Sequence, residues 1–435
     1  MTGKGFAPHS YASALVGGGE YAHDGGLLFR WSGTHWSPID DDDGERHAYN
    51  WLVRHSMEHA SPDNARKAHR AAILWSGKLQ ETTRKVIIPC LNGYVHAANG
   101  SLTLEPADPT LGLRHVLGCD YEIAAPSPQR FNAFIRTILP DEAVRRRVQE
   151  YIGYTLTADA RYQRAQFWLG GGANGKGVLA NIVQALHGKP EAVQLDALEG
   201  FRLSMLAGAS LIYCDEVPRG RINEQLLKSM IAGERIQVDR KYRDPISIHV
   251  RGKWLVLGNH LPTITDHSAG FWRRWDIVPF SVTIPEARQD PILAERIIAE
   301  ELSGVLSWAL DGLARLQARG AFDPTVPAAM GGLLKEAKSE TNSVQAWFDD
   351  CAIAIDEQHN ATKENVYDHY RDWCGRNGLS AMASPRFWTR MRDILPFEES
   401  RHRQGRAQVR VCNIQLPDSA TTSAPSMMKL VSAAA

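Results

Sequence analysis

The sequence predicts an α/β protein built on a parallel-sheet core. Two observations carry that reading. Strand-like and helical stretches alternate from Gln166 to about Phe280, the order that winds into a parallel sheet. Within that stretch an apolar strand, Phe167-Trp168-Leu169, runs into a glycine-rich loop and then a helical segment. The chain has 435 residues, room for several domains of roughly 100–200 residues each. Lys+Arg and Asp+Glu balance at 49 each, which excludes a globally basic coat or histone-like binder but leaves room for a local nucleic-acid site. No apolar stretch reaches membrane-spanning length, and the N-terminus lacks the apolar core of a signal peptide. The expectation is a cytoplasmic protein with no membrane partner.

The elements follow in order. Leu27 to Trp31 and Thr34 to Ser37 read as a hairpin around Ser32-Gly33. The acidic run Asp40 to Asp43 reads as a solvated loop. His55-Ser56-Met57-Glu58-His59 fits H-x-x-E-H, a zinc-peptidase pattern, but no third ligand is apparent and a solvated helix face is the plainer reading. Six scattered cysteines without a CxxC pair read as reduced, buried thiols. Ile87 to Glu122 is strand-like, with turns at Asn92-Gly93 and Asn99-Gly100. Pro128 to Leu156 is helical by the spacing of Phe131, Phe134, Ile135 and Ile138, then Val148, Ile152 and Leu156. Ala299 to Gln317 reads as a long amphipathic helix, Gly331 to about Ser343 as a polar connection, and Val344 to Ile414 as a small separate module. The tail from Leu416, rich in Ser, Ala and Thr, reads as disordered.

The chemistry concentrates in Gly170-Gly171-Gly172-Ala173-Asn174-Gly175-Lys176-Gly177. Glycines let backbone N–H groups turn inward around phosphate oxygens, the helix start adds partial positive charge, and Lys176 neutralises the β/γ-phosphates of a nucleotide such as ATP. Gly177 stands where a Ser/Thr hydroxyl usually ligates Mg²⁺, a place water can fill. Two further strands end in polar residues. Leu211 to Cys214 leads into Asp215, suited to hold Mg²⁺ through the nucleotide, and Glu216, suited to activate water. Trp254 to Gly258 leads into Asn259, suited to sense the γ-phosphate. Arg273 and Arg274 precede the apolar strand Trp275 to Phe280 and could neutralise transition-state charge.

Taken together, Gly170–Gly177, Leu211–Glu216, Lys228–Arg243, Trp254–Asn259 and Phe271–Phe280 resemble, in order, the motifs of superfamily 3 helicases, the AAA+-type ring motors of small DNA viruses, phages and plasmids. The likeness is greatest to the helicase portion of phage and plasmid primase–helicases and covers about residues 85–415. It implies an AAA+-like P-loop ATPase core with a mixed N-terminal domain and a C-terminal winged-helix module. The expected domains are 1–125, a helical collar at 126–160, the ATPase core at 161–330, the winged-helix module at 331–415 and a tail at 416–435. The segment before the loop is too short for the primase domain, so primer synthesis is not expected.

The resemblance also implies an ATP- and Mg²⁺-dependent helicase in phage or plasmid replication, in a bacterial host cytoplasm. Its partners would be single-stranded or forked DNA, further copies in a ring of six, and a separate primase or initiator. Arg274, closer to the apolar strand, is the expected arginine finger, with Arg273 as fallback. Arg240, Lys241, Tyr242 and Arg243 would form the pore hairpin that contacts DNA. Arg386 and Arg390, on a helix followed by a ribbon through Gln404-Gly405, would engage duplex or fork. The alternatives are an AAA+ loader or remodeller and a DNA-binding initiator without unwinding activity.

Overall fold

The computed structural model describes residues 5–416 apart from 99, 219–221, 241–242, 263, 265–267, 342, 357–360 and 405–406. The chain divides into two compact units, Met1–Leu333 and Leu334–Ala435.

The first unit opens with α1 (Pro8–Val16), β1 (Tyr21–Asp24), β2 (Leu27–Trp31), β3 (Trp36–Ile39), α2 (Asp41–His55), α3 (Pro62–Trp75) and β4 (Gly77–Lys78). The strands form a sheet in the order β3-β2-β1-β4, and the helices bury Tyr11, Ala48, Leu52, Ala68 and Ala72 against Leu28. Two expectations are corrected here. The hairpin turn is longer than a Ser-Gly pair: the Ser32 N–H donates to the His35 carbonyl at 2.9 Å, and the return strand starts at Trp36. The acidic run is no loop. Asp40 caps α2 by accepting from the Asp42 N–H at 2.8 Å, and Asp41 to Asp43 fill the first turn, where carboxylates complement the helix dipole.

Next come β5 (Ile87–Cys90), β6 (Gly93–Ala98) and β7 (Ser101–Glu105), an antiparallel meander. The strand signal stops at Glu105; Pro109–Leu111 is a single 3-10 turn. Then α4 (Gln129–Ile138) and α5 (Glu142–Thr155) follow. Pro128 stands at the α4 cap position and offers no side-chain cap, so Glu301 supplies one from far along the chain, accepting from the Arg130 and Phe131 N–H groups at 3.0 Å.

The core of the unit is built from β8 (Ala165–Leu169), α6 (Lys176–Ala185), β9 (Pro190–Ala192), β10 (Leu211–Cys214), α7 (Glu224–Ile231), the hairpin β11 (Arg235–Arg240) and β12 (Arg243–His249), β13 (Lys253–Gly258), α8 (Ala269–Trp272) and β14 (Trp275–Pro279). Five of these strands make a wholly parallel sheet in the order β14-β8-β13-β10-β9, a P-loop-like core. The 27-residue α9 (Leu293–Arg319) lies along α5, and glycines set how close they come. A Cβ on Gly153 would sit 2.3 Å from the Ala309 carbonyl oxygen, and one on Gly312 would sit 2.4 Å from that of Gln149. A continuous apolar core joins the meander (Ile88, Val95), α4 (Phe131, Ile135), the sheet (Trp168, Leu257) and α9 (Leu306, Leu310).

The second unit is entered through α10 (Ala328–Thr341), which is helical where the sequence reads as a polar connection. It holds α11 (Ser343–Asp350), β15 (Ala354–Ile355), β16 (Ala361–Thr362), α12 (Lys363–Arg376), α13 (Ser384–Ile394), β17 (Glu399–Gln404), β18 (Ala407–Cys412) and β19 (Ile414–Gln415). Strands β16, β18 and β17 form an antiparallel sheet. Its separate core is aromatic: Tyr370 and Phe387 stack with ring centroids 4.6 Å apart beside Trp347. The expected disorder from Leu416 falls, but for Leu416 itself, outside the described residues. Among those described, no helix is long and apolar enough to cross a membrane.

Candidate active site

The sheet brings the polar strand ends together. Strand β8 lies between β14 and β13, with Leu169 opposite both Gly258 and Pro279, and β10 pairs with β13 so that Cys214 faces Val256. All these strands run parallel, so the residues after them emerge on one edge. Loop residues Gly171 to Gly177, Asp215, Glu216, Asn259 and His260 line a single cleft of about 510 Å³. That lies within the range of small-molecule sites.

Loop shape follows from its residues. Gly170 abuts β14: a Cβ there would lie 2.2 Å from the Phe280 carbonyl oxygen. Gly175 takes φ +81°, which favours glycine, and a Cβ would press on Ile138 at 2.5 Å. Buried Asn174 ties the loop together, its amide donating to the carbonyls of Gly171 at 2.7 Å and Phe280 at 3.2 Å and its oxygen accepting from the Lys176 N–H at 3.3 Å. Gly171, Gly172 and Ala173 are exposed. Ala173 holds φ +53°, and its carbonyl accepts from the Ile284 N–H at 2.7 Å.

Lys176 opens α6 and is only 7% exposed. Its ammonium donates to the carbonyls of Gly170 at 2.5 Å and Gly171 at 2.9 Å. Burial holds its pKa below the usual lysine value, with the charge of Asp215 working in the opposite sense. Asp215, Glu216 and Asn259 are exposed in the cleft. The buried Cys214 thiol, pushed up to about 11 by desolvation, donates to the Glu216 carbonyl at 3.1 Å and steadies the strand end; its sequence position alone gave no sign of this role. Gly177 is exposed, and a Cβ there would meet nothing within 4 Å.

The two arginines differ in their surroundings. Arg274 is tied back into its own chain, donating to the Gly270 carbonyl and, at 3.3 Å, to the Gln163 side chain. Its guanidinium is held below the usual arginine range by burial and by neighbouring Arg273. Arg273 is exposed. The Arg274 guanidinium is thus engaged by α8 and the segment before β8.

The hairpin expected to carry DNA contacts is present as β11 and β12. Arg240 is only 16% exposed and ion-pairs with Asp41 of α2. Lys241 and Tyr242 lie outside the described residues, and Arg243 begins β12. In the second unit Arg386 is exposed and Arg390 half-buried on α13. His55 ends α2, while Met57–His59 forms a separate 3-10 turn, so H-x-x-E-H is not on one helix. No cluster of three or more His, Cys, Asp or Glu among the described residues could hold a metal ion. All six cysteines are buried and free.

The five-stranded parallel sheet with this cleft at its edge is consistent with a P-loop-like core. Residues 168–274 match the model of a family of unknown function, DUF5906. The chain is 26% identical over 163 residues to a putative helicase of Acanthamoeba polyphaga mimivirus, an alignment covering 35% of this chain and 17% of that protein. To a putative helicase of Invertebrate iridescent virus 3 it is 21% identical over 276 residues, 55% of this chain and 29% of that one. It thus spans under a third of either relative. The fold is that of the solved C-terminal region of NrS-1, with TM-scores of 0.54 and 0.52 in two apo structures at 10% and 11% identity, each covering 94% of this chain and 100% or 99% of that one. The chain is helicase-like.

Proposed function

We propose that this chain is the ATP-driven motor of a DNA helicase of the superfamily 3, AAA+ type, acting in replication as a ring of identical subunits. The observation that carries the reading is the convergence of Lys176, Asp215, Glu216 and Asn259 on one cleft at the edge of a parallel sheet. Relatives named as helicases, matched over part of their length, favour this motor over a generic nucleotide binder.

In this reading the loop N–H groups and Lys176 hold the β- and γ-phosphates of ATP. Glu216 orients and deprotonates the attacking water, and Asn259 contacts the γ-phosphate. The cleft suits Mg²⁺: Asp215 is exposed within it, and the open space at Gly177 admits a water in place of the missing hydroxyl. Bound there, Mg²⁺ would neutralise charge on the phosphates. The exposed Arg273, rather than Arg274, reaches the nucleotide of the adjoining subunit. The second unit acts as a winged-helix module, with Arg386 and Arg390 on its helix and exposed Arg401 and Arg403 on its β-ribbon facing nucleic acid.

The test is Mg²⁺-dependent ATP hydrolysis with and without single-stranded DNA, on a sample of known oligomeric mass, followed by strand displacement on a fork. Hydrolysis stimulated by DNA together with unwinding supports the motor. Hydrolysis without unwinding supports a loader, and absence of hydrolysis removes the motor altogether.

A further inference from the structure

The N-terminal sheet and helices grip the β11–β12 hairpin along its length. At its base, Asp24 of β1 accepts from Arg235 at 3.4 Å while also accepting from Arg114 at 2.7 Å. Burial alone would raise the Asp24 pKa, but the bonds and charges of Arg114 and Arg235 hold it below the carboxylate range. In the middle, the Ser247 N–H donates to the Gly25 carbonyl at 3.0 Å. Gly25, at φ +59°, approaches so closely that a Cβ would lie 1.9 Å from the Ser247 oxygen. At the far end, Asp41 takes the Arg240 guanidinium and is itself held by His69 Nε2 at 3.2 Å. Gly44 leaves that His69 ring its room: a Cβ there would come within 2.2 Å of it.

We propose that residues 20–75 are a splint for this hairpin, and that Asp24 and Asp41 are positioning residues that set its posture for work on DNA. The proposal rests on the reading that the hairpin engages DNA. An isolated two-stranded hairpin is marginally stable in water, so one that bears load needs lateral support. The three ties fall on both strands and at both ends, which fixes tilt as well as position. The acidic run thereby acquires a role: it caps α2 and presents one carboxylate to β11.

The experiment uses the full chain. The parent is first assayed for ATP hydrolysis and single-stranded DNA binding, so that failure of the motor reading is seen by itself. Amide hydrogen exchange is then followed over Arg235–Arg240 and Arg243–His249 in the parent, Asp41→Asn and Gly25→Ala. Both variants should exchange faster there by about tenfold, Asp41→Asn through loss of a charge-assisted bond and Gly25→Ala through a Cβ driven onto the Ser247 carbonyl and away from the Ser247 N–H. Asp41→Asn should keep basal hydrolysis within about twofold while unwinding falls by a similar tenfold. The charge swap Asp41→Arg with Arg240→Asp should recover unwinding that either single change loses. Unchanged exchange in both variants overturns the splint. Faster exchange with parental unwinding overturns the positioning role. A swap that melts like the parent yet recovers nothing does so too, because Arg240 would then act on DNA directly.

Discussion

Arg147 of α5 closes two hydrogen bonds on Asp276 of β14, Nε to Oδ2 at 2.7 Å and Nη2 to Oδ1 at 3.0 Å, with both side chains no more than 3% exposed. Its third nitrogen donates to the Asp323 carbonyl at 2.9 Å, and its guanidinium lies 4.6 Å from the centre of the Phe322 ring. The pair fixes the strand that begins two residues after Arg273. Arg147→Ala leaves the buried Asp276 carboxylate with Arg164, at 3.6 Å, as its remaining counter-charge and should cost up to about 3–5 kcal/mol. Replacing both partners, Arg147→Met with Asp276→Leu, should cost less than that single change. Urea unfolding of the three proteins checks the order.

Hydrolysis should separate from binding. Glu216→Gln keeps the loop and Lys176, so it should bind ATP like the parent and turn over at least about a hundredfold more slowly. Lys176→Ala should weaken binding itself. A Glu216→Gln protein with parental turnover would remove this residue as the base.

Gly177→Ser places a hydroxyl beside the cleft where a Cβ meets nothing within 4 Å. The fold should hold, and Mg²⁺ should support hydrolysis at equal or lower concentration. Thermal melting and an Mg²⁺ titration measure both, and loss of hydrolysis in a folded variant would show that backbone approach at Gly177 is essential.

Arg273→Ala should bind ATP yet hydrolyse it poorly, and mixing with Lys176→Ala subunits should restore part of the rate, because some interfaces regain an intact pair. Arg274→Ala removes the ties to Gly270 and Gln163 and should lower the melting temperature more than Arg273→Ala. The reverse pattern would return the finger to Arg274.

His115 and His187 are fully buried, and desolvation foremost, with nearby Lys253 adding to it, pushes both down to about 3 from 6.5. Because their folded pKa is depressed, both stay neutral in the fold while the unfolded chain takes up protons below about 6.5. Their contribution is complete above that pH and is lost as pH falls towards 3. At pH 5.0 each should cost of order 2 kcal/mol relative to pH 7.5. Unfolding free energies at the two pH values, in the parent and in His187→Gln, check the sign and the share of one histidine.

Local signals made the pieces of the cleft legible. Gly170–Gly177 is a contiguous strand-to-helix turn, and the acids after Leu211–Cys214 follow an apolar run, so each piece shows in its own neighbourhood. The parallel sheet was legible from alternation, though strand order was not, since register depends on contacts between distant segments. What was lost was long-range. Asp41 finds its partner Arg240 199 residues on, so the acidic run reads as solvated. Arg274 looked well placed because it is near the strand, but its guanidinium turns back four residues to the Gly270 carbonyl. His55 and His59 looked helical together until the chain turned at Ser56.

The glycine contacts between α5 and α9 have a mechanical consequence. Two helices whose backbones nearly touch at Gly153 and Gly312 cannot roll over one another, because any rotation drives a neighbouring side chain into the facing carbonyls. The pair therefore behaves as a stiff beam along one side of the parallel sheet. Bending of this unit has to be taken up elsewhere, where helices meet through longer side chains rather than backbone to backbone.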